Sequence, residues 1–336
     1  MDGVLERKIA VYFKAHHRLL GEGSGISIER VYYLGRGARH KNFVVRTAAR
    51  KYIVRMSFTT KLAWKRRHLR QEYRSLKVIE PTGVGPKAYI YEPDQKPLGQ
   101  PFIVIEYVSG KRPNPHNANN EIIDAAAEMI AKIQLLKVGA EARETLVAEP
   151  MGRLMLKKLE ARKDYLLKDG KFSDRFKSTI ETGYEGVLGR DYGRHAKLVF
   201  SHGDVAPINI VKTKDGCKLI DLETLALRDP EFDIAHFFYR TNLTDAQKKR
   251  FLKRYVLLGG NASVRKHLDD FERARTFERL IWAIVEAFKI REGLRDKEYS
   301  SGTDAKYFMR KANEIFNRCK DIGAIPKGAK WDKQLQ

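Results

Sequence analysis

The sequence has few cysteines and no long hydrophobic run. Its two cysteines, Cys217 and Cys319, lie far apart in the chain, which argues against a disulfide framework and favours a reducing compartment such as the cytoplasm. The most apolar stretch toward the C-terminus, residues 280–288, contains Glu286 and is too short to cross a bilayer. The first twenty residues carry charges throughout, so no secretory signal is expected. These absences predict a folded cytoplasmic protein with no transmembrane segment.

Acidic residues are scarce relative to basic ones. The chain has 65 Lys and Arg against 42 Asp and Glu, a formal net charge of +23. Such an excess attracts polyanions such as nucleic acid or an anionic membrane, but heat-adapted proteins also carry charge-dense surfaces. The basic residues are spread along the chain, and salt screens exposed charges beyond about 8 Å at physiological ionic strength. A nucleic-acid partner is therefore possible on charge alone but is not favoured.

Hydrophobic periodicity divides the 336 residues into a strand-rich part and a helical part. The first part has alternating or β-branched runs, which predict strands at 28–34, 42–47, 52–58, 88–91 and 102–108, with helices at 4–20 and 62–80. After a segment rich in Gly, Pro and Asn at 108–120, the pattern predicts helices at 121–136, 151–167, 172–188, 229–239, 244–258, 264–291 and 303–319. Strands are predicted there only at 209–212 and 218–222. We expect an α+β, bilobal fold: a small antiparallel-sheet N-lobe over 1–110, with the extra helix 4–20, and a larger, mainly helical C-lobe over 111–336.

Oxygen-bearing side chains cluster in the stretch from 198 to 240. Asp204 follows an apolar run and Gly203, so its carboxylate should lie on a sparsely covered loop and could accept a hydroxyl proton. Asn209 adds a neutral amide oxygen, and a turn at 214–216 should fold Asp221 back towards it. Hard oxygen ligands suit Mg²⁺, and no Cys/His cluster suggests zinc. This combination matches what phosphoryl transfer requires of a protein.

Each of these residues alone has a simpler interpretation. A single Asp or Asn on a loop is usually an Asx-turn or a helix cap, and an aspartate at the end of a strand is common. Only their order along a hairpin favours a metal site. Asp233 lies among apolar residues and is predicted to be buried, accepting hydrogen bonds from backbone amides of the 202–204 loop; the alternative is a surface aspartate.

Three motifs together resemble the aminoglycoside phosphotransferase and choline kinase family, which shares the protein-kinase-like fold. They are HGDVAPINI at 202–210, LIDLE at 219–223 and DPEFDIAHF at 229–237. The resemblance implies that Asp204 is the catalytic base and that Asn209 and Asp221 bind Mg²⁺. It also implies that His202 and Asp233 support the catalytic loop.

The N-terminal half resembles this family more loosely. A glycine-containing turn would cover phosphate, Arg55 stands where protein kinases have a phosphate-binding lysine, and Glu72 would be its partner on a helix. The carbonyl of Glu106 and the N–H of Val108 would face adenine. The nucleotide-binding residues implied in this way are Gly35, Gly37, Asn42, Arg55, Glu72, Glu106 and Val108.

The sequence therefore predicts a kinase that uses ATP or GTP and Mg²⁺ to phosphorylate a hydroxyl of a small molecule, such as a sugar, amino alcohol, nucleoside or aminoglycoside. The rivals are an atypical protein kinase and a non-enzymatic RNA- or membrane-binding protein on a kinase-like scaffold. The acceptor should bind among the helices after 241. Charged and aromatic residues at helical spacing there are interpreted as core packing with a solvated face: Arg273, Arg275, Glu278, Trp282 and Glu286. The basic balance is compatible with an anionic acceptor such as a phosphosugar.

Overall fold

The computed structural model describes residues 2–23, 25–36, 40–57, 62–114, 118–139, 146, 148, 151–168, 172–190, 192, 197–294 and 304–332. The chain forms two compact units. The first unit is Met1–Pro113 with Ile208–Leu225, and the second unit is Asn114–Pro207 with Ala226–Gln336. No helix among the described residues is both long enough and apolar enough to cross a membrane.

A five-stranded antiparallel sheet forms the frame of the first unit. The strands are β1 (Ile28–Arg36), β2 (His40–Thr47), β3 (Lys51–Ser57), β4 (Ala88–Glu92) and β5 (Phe102–Glu106), in the spatial order β1-β2-β3-β5-β4. Two helices accompany it, α1 (Asp2–Ala15) and α2 (Leu62–Ile79), with 3₁₀ turns at His17–Leu20 and Glu80–Thr82. The predicted small antiparallel sheet is therefore present.

The alternation of side chains along β3 separates the two faces of this sheet. Tyr52 and Val54 belong to a buried cluster with Phe13 of α1. Successive side chains of a strand point to opposite faces, so Arg55 lies on the face away from this cluster. There it meets Glu72 of α2. The alternation of side chains along β3 therefore places Arg55 on the side of the sheet where α2 lies.

A second hairpin, β7 (Ile210–Thr213) and β8 (Gly216–Leu219), belongs to the first unit. Lys111 and Lys212 exchange two backbone hydrogen bonds of 2.9 Å, and Leu219 donates to the carbonyl of Val84 at 2.8 Å. Gly110 allows this close approach, because a Cβ there would lie 2.1 Å from the Lys212 carbonyl oxygen. The domain boundary predicted after residue 110 stays a prediction, since compactness alone does not test independent folding.

The second unit is mainly helical. Its helices within the described residues are α3 (Asn120–Gln134), α4 (Met151–Leu167), α5 (Asp174–Leu188), α6 (Glu231–Thr241), α7 (Asp245–Leu257), α8 (Leu268–Arg291) and α9 (Ala305–Asp321). Helix α8 is largely buried and packs against α4, α5, α6 and α9. Side-chain caps start several helices: Asn119 accepts from the amide of Ile122, and Thr244 forms a capping box with Gln247.

Two short strands in the second unit, β6 (Val199–Ser201) and β9 (Ala226–Arg228), pair antiparallel. Strand β9 was not predicted, because three residues are too few to show a period of two. The strand predicted over 218–222 ends at Leu219 instead, where Ile220 donates its N–H to Asn209 and Asp221 adopts a φ of 69°. The helix predicted from 264 begins at Leu268 after a 3₁₀ turn at Ala262–Lys266.

Candidate active site

Three predicted residues of the first unit lie side by side on adjacent strands. Gly35 pairs with Asn42, and Asn42 pairs with Arg55. The strand β1 has an irregular register beside Gly35, whose φ of 152° favours glycine. The Nε of Arg55 donates to Oδ1 of Asn42 at 3.1 Å, and its Nη1 forms an ion pair with Glu72. Arg55 Nη1 also lies 3.8 Å from Oδ1 of Asp221.

Asn42, Arg55, Glu72 and Asp221 line one pocket of about 300 Å³ within the first unit, called here the first-unit pocket. Its polar end holds Arg55 and Asp221, its walls include Ile53 and Ile105, and another part of its lining is the chain from 106 to 108. A volume of this size lies at the lower end of the range for small-molecule sites. Apolar walls, exposed backbone and a charged end suit a ligand that is flat at one end and ionic at the other.

Carboxylates outnumber cations at the polar end of this pocket. Burial raises the pKa of Glu72 to about 7; the neighbouring Arg55 opposes this rise, whereas Asp221 and Glu223 add to it. One oxygen of Glu72 is buried with no hydrogen-bond partner among the described residues. Phosphate groups brought beside these carboxylates would be repelled. An anionic ligand at this end therefore needs an additional cation.

Asp221 and Asn209 are held near each other by the backbone. The amide of Ile220 donates to the carbonyl of Asn209 at 2.9 Å. The Asp221 side chain is 44% exposed in the left-handed conformation that few residues except Gly, Asn and Asp adopt. Among the described residues no three His, Cys, Asp or Glu side chains come together as a metal site. The available donors, one amide and one carboxylate, fit Mg²⁺ shared with phosphate oxygens and water.

In the second unit, Asp233 organises the loop that carries Asp204. Its Oδ2 accepts from the amide of His202 at 2.8 Å, and its Oδ1 accepts from the amide of Gly203 at 2.8 Å and from Oγ of Ser201 at 2.9 Å. Asp233 is fully buried, and the expected contact with loop amides is present. Gly203 has a φ of 85°. These bonds satisfy a carboxylate that would otherwise be costly to bury and fix the turn before Asp204.

A chain of hydrogen bonds leads from Asp204 into the helical core. Nε2 of His236 lies 2.8 Å from Oδ1 of Asp204, and Nε of Arg275 lies 3.1 Å from Nδ1 of His236. Arginine can only donate, so Nδ1 accepts and the proton of a neutral imidazole lies on Nε2, directed at Asp204. Arg275 is itself paired with Glu278 at 2.7 Å, and Glu278 also pairs with Arg162.

Electrostatics keep His236 neutral and Asp204 ionised. Burial lowers the pKa of His236 to about 3, helped by the charge of Arg275 and opposed by the bond to Asp204. Burial alone would raise the pKa of Asp204, but the hydrogen bond from His236 and the charge of Arg240 outweigh it and hold that pKa well below its usual range. The Asp204 side chain is nevertheless 43% exposed. It is thus an oriented, accessible carboxylate at neutral pH.

Comparison with known proteins identifies the family. The model of the phosphotransferase enzyme family matches residues 32–275, well over half of the chain. This chain belongs to the phosphotransferase enzyme family. The predicted family and the predicted enzyme class, a phosphotransferase, are confirmed by this match. No curated protein matches the chain significantly.

Solved structures show the fold of this phosphotransferase. A spectinomycin phosphotransferase solved with ADP and spectinomycin is 13% identical with a TM-score of 0.62, over 86% of this chain and 93% of the other. The Plasmodium vivax ethanolamine kinase is 13% identical with a TM-score of 0.62, over 87% and 84%. APH(2″)-IIia, solved with GDP and kanamycin, is 13% identical with a TM-score of 0.61, over 91% and 99%. These likenesses confirm the predicted α+β kinase-like fold.

The structure brings most predicted site residues into two groups. Asn42, Arg55, Glu72, Glu106 and Val108 line the first-unit pocket of this phosphotransferase together with Asp221. His202 and Asp233 surround the Asp204 loop in the second unit. Gly37, predicted to cover phosphate, lies outside the described residues. The functional roles assigned to all of these residues stay predictions.

Sequence reasoning missed the residues behind Asp204. His236 was quoted in a motif but given no role, although it lies three positions after Asp233 on the same helix. Arg275 and Glu278 were interpreted as core packing with a solvated face, but Glu278 is buried, and the two side chains join a charged network that reaches His236. Two oppositely charged residues three positions apart, flanked by apolar residues such as Ala274, Phe277 and Leu280, were the available signal.

Proposed function

We propose that this phosphotransferase transfers the γ-phosphate of ATP or GTP to a hydroxyl group of a small molecule. The transfer would depend on Mg²⁺, with Asp204 as the base. The observation that carries the proposal is that the chain has both a pocket in the first unit, with Arg55 and Asp221 at its polar end, and a braced, ionised Asp204 in the second unit. The two free cysteines agree with a reducing compartment such as the cytoplasm.

The first-unit pocket suits a nucleotide. An adenine or guanine ring fits between apolar walls such as Ile53 and Ile105, with the backbone of Glu106 and Val108 available for hydrogen bonds. Arg55, pre-oriented by Asn42 and Glu72, would contact phosphate through its planar guanidinium. One solved neighbour holds ADP and another holds GDP, so the proposal includes both donors.

Asn209 and Asp221 would hold Mg²⁺ together with the phosphates. Bound there, the ion would supply the positive charge that a triphosphate needs beside Asp221, Glu72 and Glu223. The backbone bond from Ile220 to Asn209 keeps the two ligands near each other before nucleotide arrives. The excess of carboxylates in the pocket supports metal dependence, because nucleotide alone would meet like charge.

Asp204 would orient the acceptor hydroxyl and take its proton. The N–H of His236 binds one carboxylate oxygen and fixes its direction. Because its pKa is held low, Asp204 is a weak base, which suits proton transfer late in a loose, largely dissociative transition state. Neutral His236 cannot exchange charge with Asp204 near pH 7, so its role would be positioning.

A radiolabel assay tests the proposal. Purified protein is incubated with γ-labelled ATP or GTP, Mg²⁺ and panels of sugars, amino alcohols, nucleosides and aminoglycosides, with an Asp204→Ala variant as the control. Label in a small-molecule product that is lost with Asp204→Ala supports the proposal. Label trapped only in protein bands would favour the atypical protein kinase. Tight, salt-sensitive RNA binding without any nucleotide turnover would favour the non-enzymatic rival.

A further inference from the structure

Three basic side chains of the second unit lie on α6, α8 and α9, the helices that carry or pack around the chain of contacts from Asp204 to Arg275. Arg240 follows His236 by four residues on α6, and Arg279 follows Arg275 by four residues on α8. Residues four apart are neighbours on one helix face, so each of these two arginines lies one helical turn from a member of the Asp204–His236–Arg275 chain. The third is Lys311 of α9. Among the described residues, none of the three has a hydrogen bond or ion pair to an acidic side chain.

The packing of α8 against α9 places Arg279 opposite Lys311. Near one end, Arg318 of α9 contacts Glu272 of α8 at 3.1 Å. Towards the other end, the rings of Trp282 and Phe308 are 5.4 Å apart. These two contacts fix an antiparallel register in which the position three before Trp282 faces the position three after Phe308. Those positions are Arg279 and Lys311.

The arginine of this pair is held in place. The guanidinium of Arg279 stacks 3.9 Å from the ring centre of Trp282, an arrangement that leaves its edge available for an anion. Its Nε is buried and has no hydrogen-bond partner among the described residues. A buried donor of this kind costs free energy unless something accepts its hydrogen bond.

The charges of the three residues act on one another. Burial lowers the pKa of Lys311 to about 8; Arg240 and Arg279 push it in the same direction, while Glu314 and Asp204 oppose them. Arg240 also acts on the pKa values of Asp204 and His236. The three cations therefore belong to one electrostatic neighbourhood that includes Asp204. Glu314 and Asp204 offset part of this repulsion at Lys311, and an anion bound among the three cations would reduce it further.

We propose that Arg240, Arg279 and Lys311 bind an anionic group, a carboxylate or phosphate, carried by the acceptor. The substrate class would be a hydroxylated acid or a phosphorylated alcohol, and a cationic amine would be disfavoured. This inference rests on the proposed function, since the hydroxyl of the acceptor would lie at Asp204. The anionic group of the same acceptor would lie at the three cations, about one helical turn away. Three cations match a phosphate dianion or a carboxylate that accepts a forked arginine contact.

Anion binding can be measured without catalysis. Inorganic phosphate and glycerate are titrated into the full chain by calorimetry, for the wild-type protein, Arg279→Met, Lys311→Met and the control Lys306→Met. Lys306 is an exposed lysine of the same helix. We expect saturable binding that weakens about tenfold or more in each of the first two variants and is unchanged in the control. No saturable binding, or equal binding by all four proteins, overturns the inference.

Measurements of kcat/KM for different acceptors distinguish a failure of this inference from a failure of the proposed function. Acceptors are compared as matched sets: glycerol with glycerate and glycerol 3-phosphate, glucose with gluconate and glucose 6-phosphate, and ethanolamine as a cation. We expect the acidic member to have the higher kcat/KM, and Lys311→Met to reduce that preference tenfold or more. Transfer only to neutral or cationic acceptors overturns the anion site and leaves the function standing. Anion binding that is lost in the variants, with no transfer to any acceptor, supports the anion site and refutes the phosphotransfer proposal.

Discussion

The first-unit pocket and the Asp204 loop differ in the sign of the charge that surrounds their central residue. In the pocket, Arg55 is surrounded by Glu72, Asp221 and the nearby Glu223, so negative charge is in excess. At the loop, Asp204 is a single carboxylate bound by a neutral histidine, with cations beyond it. On the proposals made above, the pocket would bind a cation, and the cations around Asp204 would bind an anion.

This difference indicates how binding and chemistry are divided along the chain. The pocket residues come from a sheet, a helix and a hairpin, and on the proposed function their carboxylates would make nucleotide binding depend on metal. The loop residues are fixed by Asp233 and by a helical core, so Asp204 is oriented before any ligand binds. Changes in the pocket should act through nucleotide and metal, and changes near the loop should act on transfer or on local stability.

The largest effect is expected for Asp221→Ala. Without this carboxylate, phosphates would face Glu72 and Glu223 with a weakened metal site, and we expect kcat/KM to fall by about 10³ or more. Added Mg²⁺ should recover part of the loss in steady-state assays. The control is Asp215→Ala, an exposed aspartate of the same hairpin. Near-normal turnover by Asp221→Ala, alongside an inactive Asp204→Ala, would refute the metal assignment.

A smaller loss is expected for Asp204→Asn. The amide keeps an oxygen for the His236 N–H but cannot accept a proton, so kcat should fall by about 10² to 10⁴, with nucleotide KM little changed. Because the pKa of Asp204 is held low, the loss should be constant between pH 5.5 and 8. Asp269→Asn, at an exposed position on α8, serves as the control. A large rise in nucleotide KM instead would contradict the division between nucleotide binding in the first-unit pocket and transfer at the Asp204 loop.

Arg55→Lys should mainly affect nucleotide binding. A lysine cannot contact Asn42, Glu72 and phosphate together through a planar fork, so we expect nucleotide KM to rise about tenfold with a smaller change in kcat. Initial rates at varied MgATP and MgGTP measure both. Arg46→Lys, an exposed arginine of the neighbouring strand, is the matched control. An unchanged KM would remove Arg55 from the nucleotide site.

The last effect is one on stability and not on activity, for His236→Gln. The pKa of His236 is about 3 in the fold against an ordinary 6.5, so between these values the unfolded chain binds a proton that the folded chain does not. Stability from this residue is therefore lost as pH falls below 6.5, by about 2 kcal/mol at pH 5. The variant should lose less on acidification than the wild type.

Urea unfolding at pH 7 and pH 5 measures this difference, and His17→Gln in the first unit is the control. Equal acid sensitivity of the wild type and His236→Gln would mean that His236 is protonated in the fold. The proton assignment on the bond to Asp204 would then be wrong.

Local sequence signals predicted the bounds of helices and strands better than they predicted which elements pair with each other. The alternation of β2 and β3 and the amphipathic period of α2 gave their positions within a residue or two. The contact between Asp233 and the loop amides followed from burying a carboxylate. The pairing of β6 with β9 did not follow, because strands of three residues have no readable period and their partner lies 27 residues away.

The sequence by itself determined the family, through three motifs between 202 and 237, and the identity of the oxygen-bearing residues in them. The tertiary structure decided which residues from other helices contact these motif residues. The chain from Asp204 through His236 to Arg275, and the facing of Arg279 and Lys311, join helices far apart in sequence. Helical periodicity reports which side of a helix is buried but not which helix it meets. Only packing therefore shows whether a charged residue of a largely buried helix faces solvent or joins the network that contacts Asp204.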